Sequence, residues 1–340
     1  MQTSLITKKT GYIGGRGFDR LMAILGLLFI SGVYLDGWAH SHGLVDKTFF
    51  TPWHAVLYSG YAINAFILVA TLFINHTRGR SWLVALPDGY ELSLLGVPVF
   101  LLAGVGDLIW HTLFGFEVGI APLLSPTHLA LAFGATLIVS GPLRATWRYT
   151  EKSFTDNWSN LLPAVIALLA LLSVFTFFTE FANPYVHTYE VTSRPYRDSN
   201  GAKGAADILL QAGIMMGVIL FAIRRWRLPF GSLTLLFTVN SAFMSVFNDH
   251  YAFIPFFAAV GLIADLLYQR LQPTEQRLDA LRGFAFTVPV ITYLSYFAAV
   301  ELIFGPITWT IHLWLGVTVM AGIEGLLLSY LMIPSQSTRD

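Results

Sequence analysis

The stretch "DGWAHSHGLVDKTFFTPWH", residues 36–54, decides how this chain is read. It holds Asp36, His40, His42 and His54, and it lies between two long apolar runs. Ionisable side chains are costly near hydrocarbon, so where they gather at helix ends the default reading is functional.

The surroundings make the hydrocarbon reading necessary. Of 340 residues, 55% are hydrophobic and 12% charged, with mean hydropathy +0.63. Soluble domains carry about 25% charged residues. Apolar stretches of roughly 20 residues recur along the chain, enough for each to cross a bilayer. The pattern predicts ten spans, at about 21–41, 52–75, 91–115, 126–143, 159–181, 205–223, 230–249, 252–269, 283–304 and 308–333. The fold class expected is therefore an all-α polytopic membrane bundle, a single membrane domain over 1–340, with no linker or low-complexity tract. The polar, Gly-rich first 20 residues precede a span too long for a signal-peptide core, so no cleaved signal peptide is expected. Net charge is zero and no nucleic-acid or phosphate-binding motif is present, so no nucleic-acid partner is expected. With no cysteine, disulfides, thiolate zinc sites and iron–sulfur clusters are excluded.

Lys and Arg orient the spans. Sixteen of the 20 fall on one side: Lys8, Lys9, Arg16, Arg20, Arg78, Arg80, Arg144, Arg148, Lys152, Arg224, Arg225, Arg227, Arg270, Arg277, Arg282 and Arg339. Lys47, Arg194, Arg197 and Lys203 fall on the other. The positive-inside rule then predicts cytoplasmic termini in a plasma or inner membrane. Eight of the nine histidines take the outer side, only His76 the inner.

The opening stretch has a second copy, "DLIWHTLFGFEVGIAPLLSPTH" at 107–128. Both copies begin Asp-x-x-x-His, as Asp36/His40 and Asp107/His111. Both cross a short outer loop and resume with a hydroxyl residue, Pro, any residue, His: Thr51-Pro52-Trp53-His54 and Ser125-Pro126-Thr127-His128. Leu57 and Leu131 follow, then Gly60 and Gly134. Asp and His four apart share a helix face. Thr51 and Ser125 suit the N-cap, and Pro52 and Pro126 the first helical position. Each hairpin can thus bring one carboxylate and two imidazoles to a point just under the outer surface, a set suited to copper, zinc or non-haem iron. The bland alternative is that Asp and His only pair with each other at helix ends. Gly60 and Gly134 would let helices approach closely. His42, two residues from His40, points off the shared face.

These two stretches resemble the C subunit of the copper membrane monooxygenases, the family of particulate methane and ammonia monooxygenases. The resemblance covers about residues 20–145, while 150–340 are additional helices of unassigned role. It implies copper, one or two ions, with Asp36, His40 and His54 at a first site and His111 and His128 at a second. Asp107 stands where the family usually has Asn, and His111 and His128 are 17 apart, against 14 for His40 and His54. The resemblance further implies oxidation of a small, poorly polar substrate by oxygen at the outer face. Quinol or an external carrier would supply electrons, in a homo- or hetero-oligomer, trimeric in the family.

Two rival readings use the same ligands. One is non-enzymatic copper binding, delivery or transport. The other is a zinc hydrolase, with His, His, Asp and a water, or a haem protein. Beyond the repeat, Glu180 with His187, Asp249 with His250, and Glu301 with His312 are outer-side pairs expected to be mostly structural. Asp265 and Glu324, set in apolar spans, are candidates for a pairing role or a proton path. Aromatics around "LIWHTLFGF" are candidates to line a substrate pocket.

Overall fold

The computed structural model describes residues 11–44, 50–115, 119–148 and 157–334. Lys8, Lys9, Lys47, Lys152 and Arg339, which contributed to the orientation argument, lie outside those residues. The described chain is helical, without a strand. It runs α1 (Arg16–Ser41), α2 (Pro52–Thr77), α3 (Glu91–Phe114), the single turn α4 (Ala121–Leu124), α5 (Pro126–Val139) and α6 (Gly141–Arg148). It continues with α7 (Trp158–Phe178), the short α8 (Tyr189–Thr192), α9 (Asp198–Arg225), α10 (Ser232–Ser245), α11 (Phe253–Leu271), α12 (Leu278–Ile303) and α13 (Ile311–Met332). Among the described residues nine helices are long and apolar enough to cross a membrane, counting α5 and α6 as one stretch, Pro126–Arg148. This is compatible with a polytopic membrane bundle.

The seventh expected span, 230–249, is shorter than predicted. The helix α10 has 14 residues, about 21 Å of rise against a hydrocarbon core of about 30 Å. Gly231, at φ 92°, starts it late, and the chain turns away after Ser245 to reach Asn248 and Asp249. The span expected over 159–181 also ends early, at Phe178, and a 3-10 turn at Glu180–Ala182 follows.

Both hairpins begin their return helices as the sequence predicts. Thr51 is extended (φ −104°, ψ 159°) and its side chain accepts the His54 amide at 3.1 Å, with Pro52 next. Ser125 does the same for the His128 amide at 3.4 Å, with Pro126 next. In each case the cap fixes the helix start and so fixes the direction of the histidine.

Between helices in lipid there is little hydrophobic drive, so association depends on close packing. Glycines supply it. A Cβ on Gly60 would lie 2.9 Å from the Phe29 Cα, and one on Gly32 would lie 3.0 Å from the Leu57 Cα, so α1 and α2 cross backbone to backbone. In the second hairpin a Cβ on Gly134 would meet the Phe100 amide nitrogen at 2.8 Å, and one on Gly96 the Gly134 carbonyl at 2.8 Å. The expectation for Gly60 and Gly134 is met.

The two halves of the chain share one core. Tyr34, buried on α1, donates to the Ser173 carbonyl at 2.9 Å on α7 and stacks on Phe243 of α10 with centroids 4.5 Å apart. At the Arg-bearing end, Arg225 donates to the Trp147 carbonyl at 2.7 Å and Arg144 to the Gly89 carbonyl at 2.8 Å. At the opposite end the helix termini carry the histidines. The outward-facing apolar belt, with Phe66 and Leu102 each 70% exposed, is what a lipid-facing surface requires.

Candidate metal centre

The C-terminal turn of α1 and the first turn of α2 bring Asp36, His40 and His54 together. The Asp36 Oδ2 lies 3.7 Å from His40 Nε2 and 3.5 Å from His54 Nε2. The C-terminal end of α3 and the start of α5 do the same for Asp107, His111 and His128. Asp107 Oδ2 is 3.4 Å from His111 Nε2, and Asp107 Oδ1 is 3.6 Å from His128 Nδ1. In each trio the ligand atoms all lie within 4.8 Å of one another. All six residues expected as ligands are thus assembled, three and three.

These separations test the fit of a metal. Bonds of about 2.1 Å at tetrahedral to trigonal angles place ligand atoms about 3.4–3.6 Å apart. The three carboxylate–imidazole gaps made through Nε2, those of His40, His54 and His111, fall in or near that range, and they are longer than good hydrogen bonds. Asp36 Oδ1 is moreover buried without a hydrogen-bond partner, an expensive state unless something else satisfies it. An ion pair between Asp36 and a histidine alone leaves that oxygen unexplained.

The second trio is held by its neighbours. Thr127 Oγ1 donates to Asp107 Oδ1 at 2.8 Å, and His128 Nδ1 lies 2.6 Å from Ser125 Oγ. The ring of His111 contacts the Gly115 carbonyl through Nδ1 at 3.3 Å, which turns Nε2 toward Asp107. Such outer contacts fix ring orientation, and with Nδ1 of both rings engaged they leave Nε2 as the nitrogen for a metal. The wider 17-residue separation of its histidines does not prevent convergence, because the turn α4 occupies the loop.

Both trios open on one cavity of about 670 Å³. Asp36, His40 and His128 are on its wall, and His40 is within electrostatic range of His111 and His128. Most of the lining is apolar, including Ile30, Val33, Phe100, Leu131, Phe177 and Phe178. Of the aromatics in "LIWHTLFGF" expected to line a pocket, Trp110 and Phe114 are not on the wall of this cavity, and Phe114 is 69% exposed on the outside of α3. Phe116 lies outside the described residues.

The C-terminal half supplies the rest of the wall, through Ser173, Phe177, Glu180, His187, Lys203 and Phe247. Residues 150–340 thereby gain a structural role, closing the cavity. Tyr58, one helical turn after His54, is a site residue that the repeat conceals, because its counterpart in the second copy is Ala132. Its ring is 6.2 Å from that of His54 and 6.1 Å from that of Phe100, and it lies within electrostatic range of both Asp36 and Asp107. The helical spacing from His54 was the signal available for it.

The remaining candidates separate cleanly. His42 is pinned away from the trio, with Nδ1 2.8 Å from the Trp38 carbonyl and Nε2 3.1 Å from Asp249 Oδ2. The Asp249 hydrogen bond raises the His42 pKa above its ordinary value, and the same bond lowers that of Asp249. His250 contacts the Tyr185 carbonyl at 2.7 Å, and Glu301 accepts the Ile307 amide at 2.7 Å. Asp265 is a helix cap delivered from a neighbouring helix, accepting from the Leu233 amide at 3.2 Å, the Thr234 amide at 2.8 Å and Thr234 Oγ1 at 2.6 Å. That is the pairing role expected as one of its two alternatives. Glu324 Oε2 is buried without a partner on α13.

Glu180 and His187 do come together, with Glu180 Oε1 3.6 Å from His187 Nε2 on the cavity wall. Burial pushes Glu180, beyond the end of α7, up to about 7 against the opposing pull of Lys203. Burial, with Lys203 adding to it, lowers the pKa of His187. Nearby Glu190 is also pushed up to about 7 by burial, partly offset by its bond to Lys203.

Compared with family models, curated proteins and solved structures, the chain matches none.

Proposed function

We propose that this chain is a membrane copper protein of the monooxygenase type, or a subunit of one. In this reading Asp36, His40 and His54 hold one copper ion, and Asp107, His111 and His128 hold a second. The observation that carries the reading is the pair of Asp-His-His trios, built by repeated hairpins and opening on one largely apolar cavity. Two neutral imidazoles and one carboxylate suit copper and leave coordination positions open. Bound copper would supply the activation of oxygen.

The residues of the chain supply the rest. The apolar wall admits a small, poorly polar substrate and excludes water, which strengthens every polar interaction inside. Thr127 and Ser125 hold the second trio in a fixed geometry. The asymmetry of Lys and Arg favours a histidine-bearing end outside the cell or in the periplasm, with both termini cytoplasmic. Electrons would come from quinol in the bilayer or from an external carrier, and a homo- or hetero-oligomer, trimeric in the family resembled, follows as part of the same proposal.

Metal analysis of the purified protein tests the reading. Two copper ions per chain are expected, with a copper EPR spectrum that loses one component in His40→Ala or His54→Ala. Metal-replete protein without copper sinks it, and zinc in its place turns the reading to a hydrolase. Carriage of copper without oxygen consumption would instead mark a delivery or storage protein.

A further inference from the structure

The cavity has a polar end that the two trios do not use. Glu180 and His187 stand on its wall with Lys203 and Tyr189, while Phe177, Phe178 and Phe181 surround them. The Glu180 Oε1 and His187 Nε2 atoms are 3.6 Å apart, beyond a direct hydrogen bond. Nε2 is buried and has no hydrogen-bond partner in the protein. An oxygen atom about 2.8 Å from both would subtend about 80° between them, tighter than tetrahedral but open enough for a hydroxyl to accept one bond and donate another.

Charge decides what kind of head group fits. Lys203 would attract an anion, but its ammonium is already spent. It pairs with Glu190 Oε1 at 2.6 Å and donates to Asp207 Oδ2 at 2.8 Å and to the Phe181 carbonyl at 3.0 Å. Two carboxyl groups beside it, those of Glu190 and Asp207, take up its charge. A cationic head would face that ammonium and a neutral imidazole. A neutral head that both donates and accepts is what remains.

We infer that Glu180 and His187 form a hydroxyl-recognition site, which binds the head of a small aliphatic alcohol whose apolar body lies along the cavity toward the two trios. The Glu180 acid donates to the hydroxyl oxygen, and the hydroxyl donates a hydrogen bond to His187 Nε2. Burial keeps the Glu180 carboxyl protonated to near neutral pH, as that arrangement needs. The inference rests on the copper reading only for its meaning, since an alcohol is what hydroxylation of an apolar substrate yields. The site itself needs no metal.

The test therefore uses metal-free full-length protein in detergent at pH 6, titrated with 1-propanol and followed by the infrared carboxylic-acid band. The expected result is a saturable downshift of one acid band, abolished in Glu180→Gln, retained in Glu180→Asp, and with apparent affinity roughly five- to ten-fold weaker in His187→Phe. Propane gives no such shift, and general solvent effects are linear rather than saturable. Copper binding by the Glu180→Gln protein checks that it is folded; if wild type binds no copper, its thermal transition serves instead. The inference is overturned if no protonated acid band exists in the wild type, if the shift does not saturate, or if Glu180→Gln shifts equally. Failure of copper binding with a normal propanol response would remove the metal reading and leave this site standing.

Discussion

The ring of Phe29 meets the ring of Phe100 edge-on, with centroids 5.1 Å apart and planes at 81°. Each phenylalanine stands seven residues before the aspartate of its own trio, Asp36 or Asp107. Each also receives the glycine six residues beyond the second histidine of its hairpin, Gly60 against Phe29 and Gly134 against Phe100. The two copies therefore touch through equivalent residues, and the distance between the trios is set by this contact. Gly134→Ala would place a methyl 2.8 Å from the Phe100 amide nitrogen, where only backbone can yield. Overpacking of this kind costs about 1–3 kcal/mol. A lower thermal midpoint in detergent and weakened metal binding at the second trio are expected. Gly60→Ala should do the same at the first. A variant that keeps both properties would show that the glycine contact does not position the ligands.

The caps should matter unequally. Thr51 accepts the His54 amide, whereas Ser125 accepts the His128 amide and also touches the His128 ring. Loss of an N-cap costs about 0.5–2 kcal/mol of stability. Thr51→Ala and Ser125→Ala should therefore destabilise comparably, while Ser125→Ala should also weaken metal binding at its trio. Loss of an outer-shell contact typically costs 10- to 100-fold in affinity. Thr127→Val, which removes the donor to Asp107, should resemble Ser125→Ala in metal titration. Equal metal affinities in all three variants would refute the claim that the second trio is held by its surroundings.

The trios were legible because everything that builds them is local: an i, i+4 pair, a cap, a proline and a short loop. The span count was nearly legible, and α10 fell short because its limits are set by Gly231 and by contacts from other helices. Asp265 illustrates the difficulty. In sequence it is a lone carboxylate in an apolar span, and only the approach of α11 to the start of α10 reveals it as a cap. The cavity was not legible at all in its far wall. Glu180 and His187 were visible as neighbours, but their place opposite the trios depends on the packing of α7 against α1, which no periodicity encodes.

The link between His42 and Asp249 joins the end of α1 to the loop before α11, and its pH window follows from the two shifts. His42 is raised, so its contribution is complete below the ordinary histidine value near 6.5 and is lost as pH rises through the elevated one. Asp249 is lowered, so its contribution is present above the ordinary aspartate value near 3.9 and is lost as pH falls through the depressed one. His42→Ala should flatten the thermal midpoint on the alkaline side of that window and leave copper stoichiometry unchanged. Loss of a copper ion in His42→Ala would return His42 to the ligand set.

Glu180 carries a pH dependence of opposite consequence to an ordinary surface carboxylate. Its value in the fold is about 7, well above the usual range near 4.3. The folded protein thus holds a proton that the unfolded chain has released, and stability falls with pH between those two values. The contribution is complete below the ordinary value and is lost as pH rises through about 7. Glu180→Gln keeps the shape of the neutral acid and cannot ionise. Its thermal midpoint should change less than that of the wild type between pH 5 and 8, and at pH 8 it should be the more stable of the two. Glu190 is raised to about 7 as well, so the variant should retain part of the slope. Thermal scans in detergent across that range check this, and a slope in Glu180→Gln equal to that of the wild type would mean that Glu180 is ionised in the folded protein.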